Sequence, residues 1–174
     1  QGTWRPVTAS PLCRSSEISV DFSPLRRLTR IEYDNTIRDL FAIVAQPAQQ
    51  FAPDDYIQGF SASFSLSAQV ALQYEKAAES VAGLALAKGG PPFDCVADDD
   101  TCMAQLLDRL GRRIFRRPLT GEEKARYASI GAGKNYDRAT RYGLMLQALL
   151  QSPHFLYRVE GDGTGGSEPT ALGD

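Results

Sequence analysis

The chain is 174 residues long, with 43% apolar and 23% charged residues and a formal net charge of −2, a globular rather than a disordered composition. That charge gives no reason to expect nucleic acid or an anionic membrane as partner, and no run approaches the roughly 18 to 20 apolar residues that span a bilayer. At this length the chain forms one compact domain or two small helical subdomains sharing a core.

Residues 1–24 hold Pro6, Pro11 and Pro24 among scattered Ser and Thr, without a sustained period. They read as an extended arm, with Trp4 and Phe22 as candidate anchors to the body. The first helix opens at Thr29-Arg30-Ile31-Glu32, a capping box flanked by Leu28 and Tyr33 at hydrophobic-staple positions. Tyr33, Ile37, Leu40, Phe41 and Val44 then mark one helical face up to Pro47. The stretch 51–60 is a loop rich in turn residues and aromatics.

Ser67 caps a second helix to about Lys88, with Val70, Tyr74, Ala77, Ala78, Val81, Leu84 and Ala85 as its stripe. The small residues there let a neighbouring helix approach closely, and Gly89-Gly90-Pro91-Pro92 stops it. A third helix starts near Asp100 and buries Met103, Leu106, Leu107, Leu110 and Ile114 before Pro118. Thr120-Gly121-Glu122-Glu123 is a second capping box opening a short helix to about Ile130. Asp137 caps a fifth helix carrying Tyr142, Met145, Leu146, Leu149 and Leu150. Ser152-Pro153 then breaks the chain, with Ser152 as a new cap and Pro153 at the first helical position. No stretch has the period-two alternation of a strand. The expected fold is all-α, an irregular bundle of about five helices. Its parts are the arm 1–24, a first helical subdomain 25–90, a second 91–160, and a flexible Gly-rich linker 161–174 to a missing downstream domain.

Of three cysteines, Cys95 and Cys102 flank the acidic run Asp98-Asp99-Asp100. Their spacing suits a small disulfide loop and hence an oxidising compartment, worth about 2 kcal/mol; the alternative is two reduced, buried thiols. Cys13 is left over.

Chemistry is sparse. His154, the only histidine, suits a metal or haem ligand or a general base, but with no second His nearby the preferred reading is structural. No metal set is expected, because no haem-attachment motif and no paired zinc motif occurs. The Asp54-Asp55 and Asp98–Asp100 groups lack EF-hand spacing. Arg112, Arg113, Arg116 and Arg117 crowd one helix end and are the candidate anion-binding group; the plainer reading is cations offsetting the helix dipole. Tyr56, Phe60 and Phe64 are candidates for a ligand surface or for core plugs.

Four ordered blocks carry a resemblance. Pro24-Leu25-Arg26-Arg27-Leu28-Thr29-Arg30-Ile31-Glu32-Tyr33 through Phe41, Pro53 through Phe60 with Gln73-Tyr74, Cys102 through Arg116-Arg117-Pro118-Leu119-Thr120-Gly121-Glu122-Glu123, and Leu149 through Ser152-Pro153-His154-Phe155-Leu156-Tyr157-Arg158 resemble bacterial secreted domains of unknown function of the planctomycete cytochrome-type group. The resemblance covers residues 24–160. It implies a periplasmic, cell-surface or secreted location and association with a cytochrome segment elsewhere in the assembly. The family brings no assigned reaction, so no catalytic residue is named; His154, Tyr157 and Arg158 are the candidate functional residues, and no cofactor is expected within this chain. The expected role is a non-catalytic helical module of a multidomain envelope protein, an N-terminal fragment. Its partner is a downstream domain of the same polypeptide, a cleaved chain, or an envelope or redox protein. Two rival readings are a fragment of an oxidoreductase whose haem or metal site is completed by further residues, and a polysaccharide-binding surface module.

Overall fold

The computed structural model describes residues 26–57, 60–62, 67–89, 100–132 and 135–158. The arm 1–24 with Cys13, the acidic run up to Asp99 with Cys95, Phe64 and the segment 161–174 lie outside the described residues, as do the side chains of Tyr56, Phe60 and Asp100.

The helices begin where local sequence supplies a cap. α1 (Arg30–Phe41) starts at Thr29, whose Oγ1 accepts the Glu32 amide at 3.3 Å while the Glu32 carboxylate accepts the Thr29 amide at 2.9 Å. Each such exchange satisfies backbone donors that a helix start leaves orphaned. α2 (Ala68–Ala87) is capped by Ser67, and Gly89, at φ +104°, supplies the left-handed step that follows its end. α5 (Gly121–Gly131) repeats the capping box with Thr120 and Glu123. α6 (Arg138–Leu150) is capped by Asp137, and the short α7 (Pro153–Leu156) by Ser152.

Between Asp100 and Phe115 one expected helix has three parts: α3 (Asp100–Leu106), a π turn Leu107–Gly111 and α4 (Arg112–Phe115). The π turn brings Gly111 so close to Leu119 that an added Cβ would stand 2.8 Å from Leu119 Cδ1. Absence of a side chain there lets the following segment fold back on the helix.

All-α is the architecture, with short antiparallel pairs added. β1 (Arg26–Arg27) pairs with β4 (Tyr157–Arg158) in the register Arg26↔Arg158, and β2 (Asp55–Ile57) pairs with β3 (Phe60–Ala62). Strands of two or three residues are too short to show an alternating pattern.

Residues 25–158 form one compact unit. Its core draws on every helix, from Ile37 of α1 and Val81 of α2 to Leu110, Ile114, Met145, Leu149 and Phe155. α2 lays its alanine-rich face against α6, where a Cβ on Gly143 would lie 3.2 Å from Leu86 Cδ1. An aromatic knot joins the distant parts: the Tyr33 ring lies 4.9 Å from Phe51, 5.8 Å from Tyr74 and 5.5 Å from Phe155.

Two expected core positions are corrected. Val44 is 93% exposed, because α1 ends at Phe41 with Ala42 left-handed and Ile43 takes the buried place. Arg30 and Asp34 cause the early turn by gripping the returning chain: Arg30 Nε donates to the Ala48 carbonyl, and the Ala48 amide donates to Asp34, both at 2.9 Å. Pro47 thus opens a 3-10 turn (Pro47–Gln50) rather than ending the helix. Leu84 is 40% exposed at the edge of the α2 stripe, while Ala82 is buried instead.

Candidate functional site

The chemistry-bearing side chains meet along the segment Ser152–Arg158, which acts as a strap between two helix starts. Both starts are built from the same spacing, Arg-x-Leu-Thr-x-x-Glu: Arg26, Leu28, Thr29 and Glu32 at α1, and Arg117, Leu119, Thr120 and Glu123 at α5. Leu28 and Leu119 are buried, and the glutamate of each box accepts from the threonine amide behind it.

Each arginine then grips its glutamate with two parallel hydrogen bonds. Arg26 donates to both Glu32 oxygens at 2.8 and 2.9 Å, and Arg117 to both Glu123 oxygens at 2.8 and 2.6 Å. This fork geometry is the strong form of an ion pair. Burial pushes the Glu32 carboxyl up, but hydrogen bonds from Arg26 and Thr29 and the Arg26 charge outweigh it and hold the pKa at about 2. The Arg117 hydrogen bonds, against some burial, hold Glu123 at about 2 as well.

The strap reaches both glutamates. At one end His154 Nε2 lies 3.1 Å from Glu123 Oε1, and Arg117 Nη2 lies 3.2 Å from His154 Nδ1. A guanidinium has only donors, so Nδ1 accepts, and the ring proton sits on Nε2 and is given to Glu123. At the other end Arg158 Nη1 lies 3.8 Å from Glu32 Oε1. Between them the Leu28 amide donates to the Leu156 carbonyl at 2.8 Å, and Arg116 donates to the Phe155 carbonyl at 3.3 Å through two nitrogens. Phe155 is fully buried in the aromatic knot.

The expected site residues therefore divide. His154 and Arg158 are brought to the two glutamates, and Tyr157 is half-buried in β4 between them. Of the arginine group, Arg116 and Arg117 join the strap, Arg113 donates to the Asp39 carbonyl at 2.9 Å, and Arg112 is exposed. Cys102 is buried, and Cys95 lies outside the described residues. Glu32, Glu123 and Arg26 were not singled out as site residues, although the repeated seven-residue spacing was the signal that could have found them. Arg27, also unanticipated, is 5% exposed and donates to the Tyr74 hydroxyl at 2.7 Å, with its guanidinium 5.3 Å from the Tyr74 ring. Burial pushes the Tyr74 hydroxyl up to about 12 against the pull of Arg27.

Asp54, one of the paired carboxylates, accepts the Arg30 amide at 2.9 Å and so serves α1 from a distant loop. Among the described residues no group of three His, Cys, Asp or Glu could hold a metal ion, and no helix is long and apolar enough to cross a membrane.

Two family models match stretches of the chain. Residues 26–87 match "PSD3: Protein of unknown function (DUF1587)", and residues 102–160 match "PSD5: Protein of unknown function (DUF1595)". The chain thus carries segments similar to two planctomycete cytochrome-type domains of unknown function. The first match holds the Glu32 helix start; the second holds the Glu123 start and the strap. Neither a curated protein nor a solved structure matches the chain.

Proposed function

We propose that this chain is a non-catalytic helical module of a secreted or cell-envelope multidomain protein, serving a redox-associated assembly by holding a neighbouring domain or partner chain. The observation that carries this reading is the fate of His154: both ring nitrogens are engaged, one with Arg117 and one with Glu123. A histidine used this way has no lone pair left for a metal, and a base flanked by a two-pronged ion pair is a fastener. Glu32, Glu123, Arg26 and Arg117 are likewise consumed by helix caps and by each other. An oxidising location belongs to the proposal through a Cys95–Cys102 bridge, and the matched families support the multidomain setting.

The test is His154→Ala in the native polypeptide, read by visible spectrum, metal content and thermal melt. This reading expects a lowered melting temperature with spectrum and metal content unchanged. Loss of a haem band or of a stoichiometric metal would transfer the case to the oxidoreductase reading.

A further inference from the structure

The two ends of the strap differ in charge. At Glu123 the arginine is balanced by the glutamate, and the His154 ring bridges the two. At Glu32 the carboxylate is already matched by Arg26, and two of its Oε2 contacts go to Thr29. Arg158 and Arg116 are then added to the same end. Arg158 reaches no closer than 3.8 Å to Glu32, and its side chain is 46% exposed. Arg116 meets only backbone carbonyls, of Phe155 at 3.3 Å and His154 at 3.5 Å, with its guanidinium 5.9 Å from the Phe155 ring centre. Among the described residues Arg158 shares the Glu32 carboxylate with Arg26, and the hydrogen bonds of Arg116 go to backbone carbonyls.

Both guanidiniums are anchored to one stretch of backbone. Arg116 is bonded to the carbonyls of residues 154 and 155, and Arg158 sits in β4 just beyond them. Burial pushes the Arg116 pKa below its usual value, and the like charge of Arg158 adds to that push against the opposing pull of Glu32. Two cations gathered at the Glu32 end of the strap, in a chain of net charge −2, raise each other's energy unless an anion joins them. Guanidiniums retain forked N–H donors suited to the oxygens of a planar or tetrahedral anion.

We propose that Arg116 and Arg158 form a binding site for a dianionic tetrahedral oxyanion, a sulfate or phosphate group either free or esterified. Among the described residues three guanidiniums, of Arg26, Arg116 and Arg158, meet at the single Glu32 carboxylate, and that excess of positive charge favours a dianion over a carboxylate. The site goes beyond the scaffold role and does not depend on it, since the arginines bind through charge and donors whatever the module holds.

The experiment titrates inorganic sulfate, inorganic phosphate, methyl phosphate and acetate into the native protein, with chloride as the control at matched ionic strength. Binding is read from the guanidinium NMR signals and from the melting temperature. Saturable shifts at Arg116 and Arg158 are expected for sulfate and phosphate, with affinity about tenfold weaker for acetate. Methyl phosphate binding as tightly as phosphate assigns the site to esterified groups; weaker binding assigns it to the free ion. Arg158→Gln should weaken sulfate binding about tenfold, whereas Arg112→Gln, on the exposed face of α4, should leave it unchanged.

Arg116→Gly is the second variant, chosen for its fit to the backbone. Arg116 has φ +59°, a backbone state that glycine adopts without strain, so this variant should fold and lose the sulfate response. Sulfate and chloride acting alike in the wild type, or a sulfate response that survives Arg116→Gly, would overturn the site.

Discussion

The α1 start and the α5 start are written in the same spacing and fold the same way, yet the strap finishes them differently. Around Glu123 it contributes His154, which can both accept and donate, so the Arg117–His154–Glu123 circuit closes on itself. Around Glu32 it contributes Arg158, which can only donate, to a carboxylate that Arg26 has already claimed. The comparison separates two kinds of information. A capping box with a forked arginine is local and makes a stable helix start wherever it occurs. What that start does depends on the residue delivered to it from the far end of the chain.

Acid should produce the largest effect, because both starts fail together. Each glutamate has a pKa of about 2 in the folded protein, against an ordinary value of 4.5. A depressed carboxyl contributes stability that is fully present above its unfolded pKa and disappears as pH falls through its folded one. Urea stability should therefore be flat with respect to these groups above about pH 5 and fall from there toward pH 2. Glu32→Gln and Glu123→Gln should each flatten part of that slope. A slope unchanged in the double variant would mean that other carboxylates govern acid unfolding.

A smaller effect sharpens the same comparison. Thr29→Ala and Thr120→Ala should each cost about 1 kcal/mol in denaturant unfolding, the usual loss for an N-cap. Thr29 should cost the more of the two. It is 6% exposed, and its hydroxyl also meets the Glu32 carboxylate at 2.9 Å, whereas Thr120 is exposed and its Oγ1 accepts the Glu123 amide at 3.2 Å. Equal losses would show that burial of the cap adds nothing.

The helix starts were legible because a capping box lies within four residues, and the stripes of α6 and the third helix because they repeat every turn. The reach of α1 was not: Val44 continues the helical period, but the grip of Arg30 and Asp34 on residues 48–49 turns the chain first. Nothing in the sequence around Leu107 announced the π turn; its signature is the contact of Gly111 with Leu119. The candidate site was half legible. His154 and Arg158 stood out in one short motif, and Arg116 and Arg117 in a basic cluster, but their meeting with Glu32 and Glu123 is a tertiary event. The pairing Arg26↔Arg158 joins opposite ends of the described fold, and short strands of this kind leave no local period to read.

The ring of His154 offers the most direct test of the claim that the polar seam is structural. Long-range proton–nitrogen NMR of the native protein near neutral pH should show Nε2 protonated and Nδ1 bare, the tautomer demanded by Glu123 on one side and Arg117 on the other. A ring with Nδ1 protonated and Nε2 bare, or one binding a metal through either nitrogen, would contradict the account and return His154 to the list of chemical groups.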